Sequence, residues 1–185
     1  MAETRTRQFD ALVAPHLPVL YRVAWRLLRN SPDAHDLVQD TCIAACENLS
    51  DLQAAEHPDR WLLQVLRNRF INVARRRRRA PFVALDDFPE VAQFSSGDPG
   101  PEELLHQDDR ERTLERAFLQ LEDTQRTLLA LRAEGYGIAE MEAITGIPRE
   151  ALHARLYRAR CSFARFLELQ QGTVSGATPR PRSAS

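Results

Sequence analysis

The stretch GIAEMEAITGIPREALHARLYRAR, residues 137–160, constrains the fold most. Residues 138–145 form one short helical pattern, with Met141 and Ile144 directed inward. Gly146-Ile147-Pro148 then interrupts it, because glycine permits a sharp reversal and proline cannot donate to a continuing helix. A second pattern runs from Arg149 to about Leu169, with Leu152, Leu156, Ala159, Phe163 and Phe166 on one stripe. The other side carries Arg149, His153, Arg155, Arg158, Arg160 and Arg165. A short helix, a tight turn and a second helix whose first residues are polar make a helix-turn-helix arrangement.

Upstream of it, residues 115–133 are expected as one amphipathic helix, flanked by Leu114, with Phe118, Leu121, Leu128, Leu129 and Leu131 as its apolar residues. Glu134-Gly135-Tyr136-Gly137 ends it. The first part of the chain reads as three main helices. One covers about 6–29 and is broken or kinked at Pro15 and Pro18. The next opens with Ser31 as N-cap, Pro32 in the first helical position and Asp33 in the first turn. It places Val38, Cys42, Ala45 and Leu49 on one face and Asp36, Gln39 and Asp40 on another. The third covers 58–79, with Leu62, Val65, Leu66, Phe70 and Val73 inside. Its outer face holds Gln64, Arg67, Asn68, Asn72, Arg75 and Arg79. No strand-like alternation persists anywhere, so the expected class is all-α: two small helical domains joined by a flexible acidic linker, the second a helix-turn-helix.

Charge divides the chain in the same way. Residues 1–80 hold 13 Arg against 9 Asp and Glu, residues 81–109 hold 8 acids and no base, and residues 110–185 hold 12 Arg against 9 acids. The net charge of −1 therefore conceals two basic blocks around an acidic connector. The connector is punctuated by proline and glycine and lacks periodicity, as a linker does. The expected boundaries are 1–79, a linker at 80–107, 108–169, and a disordered polar tail at 170–185. Every basic side chain counted is an arginine, a planar fork suited to phosphate or guanine. GC-rich codon usage is the favoured account of that preference. The run Arg75 to Arg79 suits the negative end of a helix dipole, but beside Gln64, Asn68 and Asn72 it favours nucleic acid, since amides can read base edges.

Other classes find little support. The start lacks the apolar core of a secretory signal, and no apolar run approaches a membrane span of about 20 residues. Cys42, Cys46 and Cys161 are few and odd in number, as expected for a reducing cytoplasm. Cys42 and Cys46 are four apart with no companion ligand pair nearby, so small core residues are expected rather than a metal site. The five histidines show no ligand spacing and no catalytic constellation stands out. Neither an enzyme nor a cofactor is expected.

Three segments carry a family resemblance. DAHDLVQDTCIAAC and RWLLQVLRNRFINVARRRRR in the first domain, and EGYGIAEMEAITGIPREALHARLYRAR in the second, resemble the extracytoplasmic-function sigma factors of bacterial RNA polymerase, in the sigma-70 superfamily. The resemblance covers about residues 8–79 and 108–168. It implies that Asp36, Gln39 and Asp40 dock on the clamp helices of the largest polymerase subunit, although a merely solvated face has the same pattern. It implies that residues 48–58, with Asn48 and Asp51, capture an unstacked base of the promoter −10 element. The face Gln64, Arg67, Asn68, Asn72, Arg75, Arg76 and Arg79 would then lie on that element, while Arg149, Glu150, His153, Arg155 and Arg158 would meet the −35 element. Implied partners are RNA polymerase core (clamp helices and flap), promoter DNA and an anti-sigma factor, with the free chain a monomer. Cys42 and Cys46 stand where the family has Phe and Trp, Glu150-Ala151-Leu152 replaces Gly-Thr-Val, and Glu142 replaces a small residue. A sigma-like decoy that binds an anti-sigma factor is the alternative. An ordinary helix-turn-helix repressor would need a dimer interface, and no spare apolar helix offers one.

Overall fold

The computed structural model describes residues 2–79 and 101–174, with side chains described for 6–76 and 110–170. Residues 80–100, most of the expected linker, and 175–185 of the expected tail lie outside the described residues. The described residues are helical, with no strand among them.

α1 spans Ala2–Val13, and a 3-10 turn at Ala14–His16 leads into α2, Leu17–Leu28. The break falls at Pro15 and Pro18, as their missing N–H groups require. α2 buries Leu20, Val23, Ala24 and Leu27, one face at steps of three and four. It ends at Arg29, whose φ of 52° is left-handed, a conformation that costs a non-glycine residue on the order of 1–2 kcal/mol. The Arg29 guanidinium offsets that cost by lying 4.3 Å over the Trp25 ring and 3.6 Å from Glu115. α3, Ser31–Glu47, begins one residue earlier than expected: Asn30 is the cap, its side chain accepting from the Asp33 N–H at 3.0 Å. Pro32 therefore takes the second helical position, where it still needs no donor. α3 stops at Glu47, short of Leu49, which the sequence placed on its face, and a short helix, α4, occupies Leu49–Ala54. Leu49 and Leu52 drive it by sinking into the core. α5 is Pro58–Arg79, as expected.

The second half departs more. The single expected helix over 115–133 is two: α6, Pro101–Leu119, and α7, Asp123–Ala133. The chain turns at Gln120-Leu121-Glu122, where Gln125 accepts from the Glu122 N–H at 3.3 Å and Leu121 buries itself. Leu114, expected inside, is 39% exposed. α8 is Ile138–Thr145 and α9 Arg149–Val174, five residues longer than expected. α6 packs on α9, with Phe118 edge-on to Phe163.

The halves are docked on one another. Leu128, Leu131, Met141 and Ile144 belong to one buried cluster with Leu20, Leu27, Leu66 and Phe70. α7 packs on α2, and α8 packs on both α5 and α9. Polar groups line the seam. The Glu134 carboxylate, 5% exposed, accepts from Arg22 Nε and from Arg26, each at 2.8 Å. Arg126 donates to the Leu27 carbonyl at 3.1 Å and lies 5.2 Å over the Phe70 ring. Arg60 reaches Glu140 at 3.1 Å. Burial, then the nearby carboxylates of Asp59, Glu140 and Glu134, pushes the Tyr136 phenol up to about 12, so it stays neutral there.

Candidate polymerase and nucleic-acid interfaces

Three polar faces stand on this core. On α3, Asp36, Gln39 and Asp40 are all exposed. The opposite side is pinned by Ala34, Leu37, Ala44 and Ala45, and by Thr41, which donates to the Leu37 carbonyl at 2.8 Å. Ile43, 49% exposed, continues the acidic face one turn beyond Asp40. Sequence reasoning missed it; its signal was an apolar residue at three-residue spacing from Asp40, off the buried stripe. Cys42 packs partly against the core, and burial pushes its thiol up. Cys46 is exposed rather than a core residue, because its position in α3 turns it away from Leu37 and Thr41. Among the described residues, no group of three or more His, Cys, Asp and Glu is placed to hold a metal ion.

On α5, Gln64, Asn68, Asn72, Arg75 and Arg76 are exposed along one line of the helix, opposite Leu62, Leu63, Leu66 and Phe70. The Arg79 side chain lies outside the described residues. Arg67 differs from its neighbours: it is half-buried, donates to the Asn68 side chain at 3.2 Å, and its buried Nε has no hydrogen-bond partner. Burial lowers its tendency to hold a proton. Asn48 is exposed but donates to the Ala44 carbonyl at 2.8 Å, closing the last turn of α3, and Asp51 is exposed on α4.

The third face is the helix-turn-helix. Gly146 adopts φ 67°, which allows its N–H to reach back to the Glu142 carbonyl at 2.8 Å. The Thr145 hydroxyl donates to the Met141 carbonyl at 2.6 Å and accepts from the Ile147 N–H at 3.2 Å. Pro148 supplies the first acceptor of α9, taking the Ala151 and Leu152 N–H groups. Leu152, Leu156 and Ala159 are buried, while Arg149, Glu150, His153, Arg155 and Arg158 are exposed. The exposed set divides. Arg149 and His153, four apart, share a flank with Tyr157, which is 69% exposed and was not anticipated. Arg155 and Arg158, three apart, share a different flank. Arg149 is not free: its Nε donates to Glu142 at 2.6 Å and its backbone N–H to the same carboxylate at 3.2 Å.

Residues 12–80, which take in the end of α1 and all of α2 to α5, match the model of sigma-70 region 2. This segment is therefore similar to sigma-70 region 2. The chain is 31% identical over 154 residues to the ECF RNA polymerase sigma factor SigE of Mycolicibacterium smegmatis, covering 82% of this chain and 58% of that protein. It is 28% identical over 160 residues to the ECF RNA polymerase sigma factor SigM of Mycobacterium tuberculosis, covering 86% and 76%. The solved structure of the sigma factor RpoE in complex with the anti-sigma factor NepR, from Bartonella quintana, superposes with a TM-score of 0.64 at 26% identity, covering 86% of this chain and 96% of that one. The relatives that this chain is similar to are extracytoplasmic-function sigma factors. The chain spans little more than half of the SigE relative's length.

Proposed function

We propose that this chain is a promoter-specificity subunit of bacterial RNA polymerase, acting in the cytoplasm without catalysing a reaction of its own. The α3 face of Asp36, Gln39, Asp40 and Ile43 docks on the clamp helices of the largest subunit, and the second half meets the flap. The α5 line from Gln64 to Arg76, with Asn48 and Asp51 at its side, takes the −10 element. The start of α9 takes the −35 element in the major groove. The observation that carries this reading is a single chain presenting two separate helix faces, on α5 and α9, that bear arginines and other hydrogen-bonding side chains. Phosphate contacts position such helices and base-edge contacts give them sequence preference.

The docked arrangement is not the promoter-bound one. α8 lies between α5 and α9, so their axes are within about 20 Å, two helix-packing distances. Elements named −10 and −35 lie roughly 25 base pairs apart, about 85 Å at 3.4 Å per pair. The seam must open when both are bound. A docked seam also suits the second reading, a decoy held by an anti-sigma factor. Transcription with purified core polymerase, on a library of promoter fragments, separates them. The proposal expects transcripts whose start sites share −10 and −35 motifs; an absence of chain-dependent transcripts refutes it.

A further inference from the structure

The Glu142–Arg149 contact joins the helix before the turn to the first residue of the helix after it. Both carboxylate oxygens of Glu142 are used, one on the Arg149 backbone N–H and one on its Nε. The Arg149 side chain is held at Nε and is 60% exposed. The Arg149 hydrogen bond holds the Glu142 carboxyl below the usual carboxylate range. A pair this exposed contributes little to stability. What it does supply is direction. An arginine carries several rotatable bonds, and anchoring its Nε edge removes most of that freedom while leaving the terminal nitrogens as a rigid two-donor fork.

We infer that Glu142 and Arg149 form a buttressed guanine reader: Glu142 is a positioning residue that aims the terminal guanidinium nitrogens of Arg149 at one guanine of the −35 element. The inference rests on the assignment of α9 to the −35 element and deepens it. Side chains at the start of a recognition helix reach base edges. In the major groove only guanine offers two adjacent acceptors, N7 and O6; adenine pairs an acceptor with a donor, cytosine offers a donor, and thymine offers one acceptor and a methyl group. A phosphate also accepts two arginine donors. The carboxylate beside Arg149 disfavours that choice, because it would face the same phosphate charge.

The test uses polymerase holoenzyme carrying the full chain and selects bound promoters from a pool randomised across the −35 element. Arg149→Ala should lower the preference for guanine at one position by roughly 5- to 150-fold, the discrimination of a good bidentate base contact. Glu142→Ala should lower it at the same position by a smaller factor, and Glu142→Gln, which keeps an acceptor for Nε, should retain most of it. Thermal unfolding checks that each variant is folded, and the near-isosteric Gln variant covers the case in which Ala is not. Replacing that guanine by 7-deazaguanine should weaken binding of the parent but not of Arg149→Ala. Three outcomes overturn the proposal: Arg149→Ala keeps the parental motif, Arg149→Ala weakens every sequence alike as removal of a phosphate-binding cation would, or Glu142→Ala keeps the full guanine preference. A parent holoenzyme that selects no −35 motif overturns the −35 assignment itself, and the reader with it.

Discussion

Replacing Glu134 by Gln takes one negative charge out of the seam between the two halves. The carboxylate is 5% exposed and accepts two charge-assisted hydrogen bonds, from Arg22 and Arg26. Such bonds stabilise by about 1.5–3 kcal/mol each when shielded from water. Arg22 is 54% exposed, so its share falls toward the roughly 1 kcal/mol or less of a surface pair. Arg26, 33% exposed, keeps most of its value. Glutamine retains one acceptor oxygen but turns an N–H₂ group toward an arginine that also donates. A net loss of about 2–3 kcal/mol follows. For a chain of this size that lowers the melting temperature by about 4–12 °C, at 2–4 °C per kcal/mol. Arg26→Gln should cost less, and Arg22→Gln least. Differential scanning calorimetry at low salt reads the order, and small-angle scattering reads expansion as the halves separate. If Glu134→Gln melts with the parent, or if Arg22→Gln costs more than Arg26→Gln, the ranking by burial is wrong.

Charge reversal of Asp36 and Asp40 to Arg should weaken binding to polymerase core while far-ultraviolet circular dichroism stays unchanged, since both side chains are exposed; a competition assay against a second sigma factor measures it. Arg75→Ala with Arg76→Ala should weaken promoter binding broadly and reduce the slope of log affinity against log salt by about 0.9 for each phosphate no longer neutralised; titration of holoenzyme binding with salt checks this. Leu156→Ala should destabilise the chain by roughly 2–5 kcal/mol without altering base preference, because Leu156 is buried away from the exposed side of α9; denaturant titration and promoter selection together test both halves of the claim. Glu140 is held below the ordinary carboxylate value of 4.5, chiefly by the Gly137 N–H. Its folded-state value is lowered, so its contribution is complete above the ordinary value and fades as pH falls through the lowered one. Glu140→Gln should remove this acid dependence, read as melting temperature between about pH 6 and about pH 3.5.

Much of this was legible in the residue pattern because it depends on short-range physics. The turn between α8 and α9 follows from one glycine that can take a positive φ and one proline that cannot donate, both visible in the chain. The inner faces of α5 and α9 follow from apolar residues at steps of three and four, and the exposed α5 line follows from the same arithmetic. The errors share a cause. Leu114 fits an apolar period but sits 39% exposed, and residues 120–122 turn the chain although no glycine or proline marks the place. Those outcomes depend on what α6 and α7 meet, and a period records only which residues can share a face. The same holds for charge. Glu134 and Arg26 are 108 residues apart, and nothing local distinguishes them from solvated residues until α7 packs on α2. Glu142 read as a departure from the family pattern; only when the turn brought α8 and α9 together did it become the carboxylate that holds Arg149. Helix positions and their polar faces are therefore properties of the sequence, set by backbone sterics and periodic burial. The seam and the Glu142–Arg149 contact are properties of the tertiary structure, because each needs groups from different helices to meet within hydrogen-bond reach.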